Sequence, residues 1–156
     1  MAGVRTTEVV IGAAGVDLTA DLAIPQAARG IVLFAHGSGS SRRSPRNVMV
    51  AQVLNRHDLA TVLVDLLTPQ EAVVDERTAR LRFDIGLLAQ RLVGTVDWLR
   101  TGQAGESLPI GLFGASTGAA AALVTAAERP EDVPAVVSRG GRPDLADEAL
   151  GRVRAA

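Results

Sequence analysis

The chain has 156 residues and a formal net charge of −1, from 16 basic and 17 acidic side chains. That length suits one domain, and the charge balance removes the electrostatic case for nucleic acid or an anionic membrane as a main partner. It holds no cysteine and two histidines, which excludes disulfides, a thiol nucleophile, cysteine-ligated zinc and a histidine-rich metal site.

Every basic residue is arginine, so lysine Schiff bases and a lysine-cradled phosphate are excluded too. Aromatic residues make up 3% of the chain, leaving a core of Val, Leu, Ile and Ala. No apolar run approaches the roughly 20 residues needed to span a bilayer. Residues 1–17 alternate like a strand and lack the charged start and apolar centre of a signal peptide. A cytoplasmic location is expected.

In chain order, residues 6–13 and 16–24 read as two strands joined at the turn-like pair Ala14-Gly15. The continuous apolar run 30–35 reads as a strand buried on both faces. It stops at a Gly/Ser loop, His36-Gly37-Ser38-Gly39-Ser40-Ser41, followed by Arg42, Arg43 and Arg46. Pro45 suits the first turn of a helix running through Leu54. Residues 61–64 form a second buried strand closing on Asp65, and a polar loop follows around Pro69. Leu81, Ile85, Leu88, Leu92, Val96 and Leu99 then recur at spacings of three and four, which predicts one long helix over 77–100. Within it Gly86 and Gly94 each cost about 1 kcal/mol against alanine, so close packing is expected at both. Further strands are expected at 109–113 and 133–137, an alanine-rich helix between them, and a short helix over 145–150. Strand and helix alternate throughout. The pattern predicts a single α/β domain over 1–156, three-layer α/β/α, its mostly parallel sheet opened by an antiparallel hairpin.

Gly114-Ala115-Ser116-Thr117-Gly118 matches Gly-x-Ser-x-Gly between a strand and a helix, the setting a nucleophile elbow requires. There the serine sits on a sharp turn, and the helix N-terminus offers the Thr117 N–H to a developing oxyanion. A plain glycine-rich turn and a dinucleotide-binding turn are the competing readings. Asp132 lies near the spacing the latter needs but precedes a strand instead of ending one. The loop at His36 follows a buried strand, where a second oxyanion amide would lie, most plausibly that of Ser38.

Together these segments resemble the α/β hydrolases, and within them the dienelactone-hydrolase-like group. The resemblance rests on 33–41, on Val64-Asp65-Leu66-Leu67-Thr68, on Arg82-Phe83-Asp84-Ile85, on 111–118 and on 138–144. It implies hydrolysis of an ester, lactone or similar acyl bond in a small-molecule substrate, without a cofactor or metal. It also implies Ser116 as nucleophile and the Ser38 and Thr117 amides as oxyanion hole.

The chain departs from the family where the acid and base should be. In the family these follow the seventh and eighth strands, whereas this chain ends at Ala156, and no histidine follows Ser116. A C-terminally truncated α/β-hydrolase fold, weak or inactive as it stands, is therefore expected. A non-enzymatic fragment and a nucleotide-binding α/β domain stay open as alternatives. His36 and Asp144 are candidates for a supporting role, and His57 reads as structural. Asp65 is expected to bond loop amides, and the three loop arginines to be solvated or to attract a carboxylate. Ending early should also leave residues 133–137 as an unpaired sheet edge, through which two copies could form a homodimer.

Overall fold

The computed structural model describes residues 3–103 and 107–156; residues 1–2 of the opening stretch lie outside that range. Strands β1 (Thr6–Ala13) and β2 (Val16–Ala23) form the hairpin, turning at Ala14 and Gly15, both with positive φ. β3 (Ile31–Ala35), β4 (Ala60–Val64), β5 (Ile110–Ala115) and β6 (Ala135–Arg139) complete one six-stranded sheet in the order β1-β2-β4-β3-β5-β6. β4, β3, β5 and β6 are parallel, and the hairpin joins antiparallel through β2 and β4.

Side-chain alternation sends the strands' two residue sets to different helices. Ile31, Leu33, Ala35, Val62, Ile110 and Leu112 share one core with α3 (Ile85–Trp98) and α4 (Thr117–Glu128). Phe34 and Leu63 face the other way, with Ala51 of α1 (Pro45–Arg56). Phe34 and Phe113 stack there with ring centroids 5.0 Å apart. No helix among the described residues is long and apolar enough to cross a membrane.

Three departures from the sequence reading have local causes. The expected loop around Pro69 is helix α2 (Pro69–Thr78), started by a capping box in which Thr68 and Glu71 each bond the other's backbone N–H. The expected helix over 77–100 is broken, because Ala79 turns left-handed at the end of α2 and Asp84 caps a fresh start at Ile85. Gly94 is needed for packing, since a Cβ there would lie 2.7 Å from that of Ala13; Gly86 is not, its nearest neighbour being 3.6 Å away.

At the C-terminal end, β6 starts two residues later than expected and runs through Arg139. The helix expected over 145–150 is a 3₁₀ segment, Pro143–Arg152, kinked at Asp147. Nor is the edge at 133–137 bare. The Val136 N–H donates to the Ala156 carbonyl at 2.9 Å and the Ala156 N–H to that of Pro134 at 3.0 Å, so the last residue pairs with the start of β6.

Candidate active site

The parallel strands all end on one side of the sheet, and the turns after β3, β4, β5 and β6 converge there. Ser116, between β5 and α4, has φ 53° and ψ −122°. That conformation is one a side chain enters only under strain of order 1–3 kcal/mol. Two glycines make the turn possible. A Cβ on Gly114 would strike the backbone of Ala119, and one on Gly118 would strike the carbonyl oxygens of Ala35 and His36. Behind the turn, the Ser116 N–H donates to the Arg139 carbonyl at 3.3 Å and the Arg142 N–H to the Ser116 carbonyl at 3.4 Å.

The loop after β3 lies against this turn. A Cβ on Gly37 would sit 3.3 Å from the Cβ of Ser116. Ser38, one residue on, makes no backbone hydrogen bond to protein among the described residues, so its N–H is open. Thr117 carries one of the orphan N–H groups of a helix start. Ser116, Thr117 and Ser38 are thus brought together. Beside them opens a cavity of about 360 Å³, lined among others by His36, Ser38, Asp65, Arg82 and Thr117. Ser116 itself is half-buried and is not among the residues that line the cavity, although its neighbour Thr117 is.

His36 is buried and both ring nitrogens are occupied. Nε2 accepts the Leu66 N–H at 3.1 Å, which places the proton on Nδ1, and Nδ1–H donates to the Gly37 carbonyl at 2.9 Å. The ring ties the loop to the end of β4 and has no lone pair left to act as a base. Burial holds its pKa below the ordinary 6.5, against the opposing pull of the Gly37 carbonyl and Asp65. Above that value the ring is neutral both folded and unfolded. As pH falls below it, the unfolded chain takes up the proton first, so stability should drop through this window. Urea midpoints measured between about pH 7.5 and pH 5 should fall in the parent protein and fall less in His36→Gln. Equal slopes would show that another group sets the acid limb.

The other candidates are placed just as definitely. Asp65 accepts from the Arg42 N–H at 2.8 Å and from its Nη1 at 2.7 Å. Arg42 also reaches Glu8 at 2.7 Å and Asp21 at 3.3 Å. Arg42 is therefore neither a solvated side chain nor a free carboxylate receptor. It staples the far end of the loop to the hairpin and β4. Arg43 and Arg46 are exposed. Asp144 is exposed and gives both oxygens to Arg142, at 3.0 and 2.8 Å, which lowers its pKa. It does not line the cavity. His57 is exposed beyond α1, before β4 and so at the opposite end of the sheet from Ser116.

The sequence places Arg82 in a family-like segment without giving it a role, and gives no signal for Asp75. Arg82 Nε donates to Asp75 at 2.7 Å, and both residues line the cavity.

A twisted parallel sheet with a strained serine between strand and helix, facing a glycine loop from the neighbouring strand, defines an α/β-hydrolase fold. Solved structures agree. A dienelactone hydrolase from Anabaena variabilis superposes with a TM-score of 0.96 at 59% identity, over 99% of this chain and 71% of its own. The chain belongs to the dienelactone hydrolase family. Est1E from Butyrivibrio proteoclasticus (TM-score 0.65, 18% identity, 83% of this chain and 49% of its own) shares the fold. So does the Pyrococcus furiosus esterase Pf2001 (0.68, 18%, 88% and 52%). Curated proteins from two Mycobacterium tuberculosis strains are 55% identical over 149 residues, 96% of this chain. They carry the name "Putative phosphoribosyl transferase", and the chain spans 33% of their length. No family model matches.

Proposed function

We propose that this chain forms the nucleophile and oxyanion half of a serine hydrolase acting on an ester, lactone or similar acyl bond. The observation that carries the reading is the strained backbone of Ser116 beside the open Ser38 N–H. Ser116 Oγ attacks the carbonyl carbon as its proton passes to water, the C=O pair moves onto oxygen, and the Ser38 and Thr117 amides receive that charge. Re-forming the C=O breaks the bond to the leaving alcohol, which takes a proton from water, and a second water cleaves the acyl-serine to the acid and free Ser116. Neither histidine of this chain reaches Ser116 with a free nitrogen, so turnover by it should be slow. Residual catalysis without triad partners is on the order of 10³–10⁴ over water elsewhere.

A serine-directed phosphonate should label Ser116 and no other serine, and Ser116→Ala should abolish labelling. Labelling elsewhere in folded protein, with Ser116 untouched, rules the reading out. The name of the M. tuberculosis proteins raises phosphoribosyl transfer, but it belongs to chains three times as long as the matched stretch. The absence of lysine and the strained turn at Ser116 favour acyl chemistry for this part. A nucleotide titration that shifts the melting temperature would favour the other activity.

A further inference from the structure

One half of the oxyanion hole is rigid by construction, because the Thr117 amide is fixed at the start of a twelve-residue helix. The other half lies on a Gly/Ser loop, which has little stiffness of its own. What immobilises Ser38 must therefore come from its neighbours. His36 supplies the first link, bonding the Gly37 carbonyl on one side and the Leu66 N–H on the other. Leu66 is fully buried but belongs to the segment between β4 and α2, so it too needs an anchor.

That anchor is Arg91 of α3, which is 3% exposed. Its Nη1 donates to the Leu66 carbonyl at 3.3 Å and to Glu71 Oε2 at 2.8 Å, and its Nη2 to Glu71 Oε1 at 2.7 Å. Glu71 in turn accepts the Thr68 N–H at 2.9 Å within the capping box. One guanidinium thus holds the Leu66–Glu71 segment at both ends. Neither Arg91 nor Glu71 lines the cavity.

We infer that Arg91 is a positioning residue for the oxyanion hole. Through the Leu66 carbonyl it fixes the Leu66 amide, that amide sets the His36 ring, and the ring sets the Gly37–Ser38 peptide. The inference rests on the Ser38 amide being the second oxyanion donor. A merely structural Arg91 would stabilise α2 and leave the reactivity of Ser116 alone.

The test uses the full chain and two readouts, the rate of Ser116 phosphonylation and the His36 ring by NMR. The double variant Arg91→Met/Glu71→Gln removes the clamp without leaving a buried charge unpaired. At conditions where it is fully folded, labelling should slow by about ten-fold or more, the scale expected when one oxyanion donor is misplaced. The His36 midpoint should rise toward 6.5 as the loosened segment lets water reach the ring, since burial is what holds it down. Arg91→Lys, which can reach one partner but not all three acceptor atoms, should lie between, and it serves as the test should the double variant not fold. Arg129→Gln breaks the exposed pair with Asp97, remote from this chain of bonds, and should change neither readout.

An unchanged labelling rate together with an unchanged His36 midpoint overturns the inference, as does a slowed rate with the His36 ring undisturbed. If the parent protein is not labelled at Ser116, the serine-hydrolase reading fails instead. The clamp is then judged by the His36 midpoint alone.

Discussion

Gly118→Ala is expected to cost the fold about 3 kcal/mol or more and to slow Ser116 labelling with it. The new Cβ would meet the carbonyl oxygens of Ala35 and His36, which are backbone atoms of a central strand and its loop and cannot swing aside. Relief requires α4 to move away from β3. That movement separates Thr117 from Ser38 and opens the sheet-to-helix core at Ala121 and Ala122. A total stability of about 5–15 kcal/mol makes such a loss large. Urea denaturation gives the size, and labelling of the still-folded fraction gives the effect on the site. A variant as stable as the parent would show that the turn tolerates a different path.

Ser116→Gly should be more stable than Ser116→Ala by about 1 kcal/mol, the reverse of the usual order of these residues at a helix. At φ 53° and ψ −122° alanine keeps the Cβ that makes the angles costly, whereas glycine does not. Glycine's greater freedom when unfolded offsets part of the roughly 1–3 kcal/mol released. Asp147 has nearly the same angles, φ 48° and ψ −126°, and is itself exposed, on a 3₁₀ segment outside the cavity. Asp147→Gly should therefore stabilise by a similar amount and leave labelling unchanged. Equal urea midpoints for the glycine and alanine variants at 116 would mean that the turn relaxes without its serine.

Parts of this molecule are legible in its sequence and others are not. The sharp turn at Ser116 is readable because its geometry is written in adjacent residues: small ones at 114 and 118, a serine between, a strand before and a helix after. The capping box at Thr68 and Glu71 was equally local, with Pro69 at the first helical position, yet the polar stretch around it reads as a loop. The break at Asp84 was hidden by periodicity, since Leu81 continues the apolar spacing of α3 across a change of direction. The electrostatic joints could not be read at all. Arg42 meets Asp65 and Glu8, and Arg91 meets Leu66 and Glu71, across 20 to 34 residues of sequence. Nothing local distinguishes those arginines from solvated ones. His36 is harder still, because its tautomer is fixed by the main-chain N–H of Leu66, a group that every residue but proline carries.

The neighbouring positions of β3 and β5 also bear on how the molecule assembles. Ile31 pairs with Ile110, and the span between them contains β4 and three of the four helices. β3 and β4 can pair across a much shorter loop, so closing β3 against β5 demands the larger loss of chain entropy and should come later. The glycine loop and the serine turn sit on opposite sides of that last seam. Before it closes, Ser116 faces no Ser38 and the Gly118 backbone has no carbonyls to rest against. Reactivity toward a phosphonate should consequently appear in step with the slowest folding phase, later than any burial of Trp98 on the α3 side. The nascent chain would carry Ser116 apart from its facing loop until the sheet is whole.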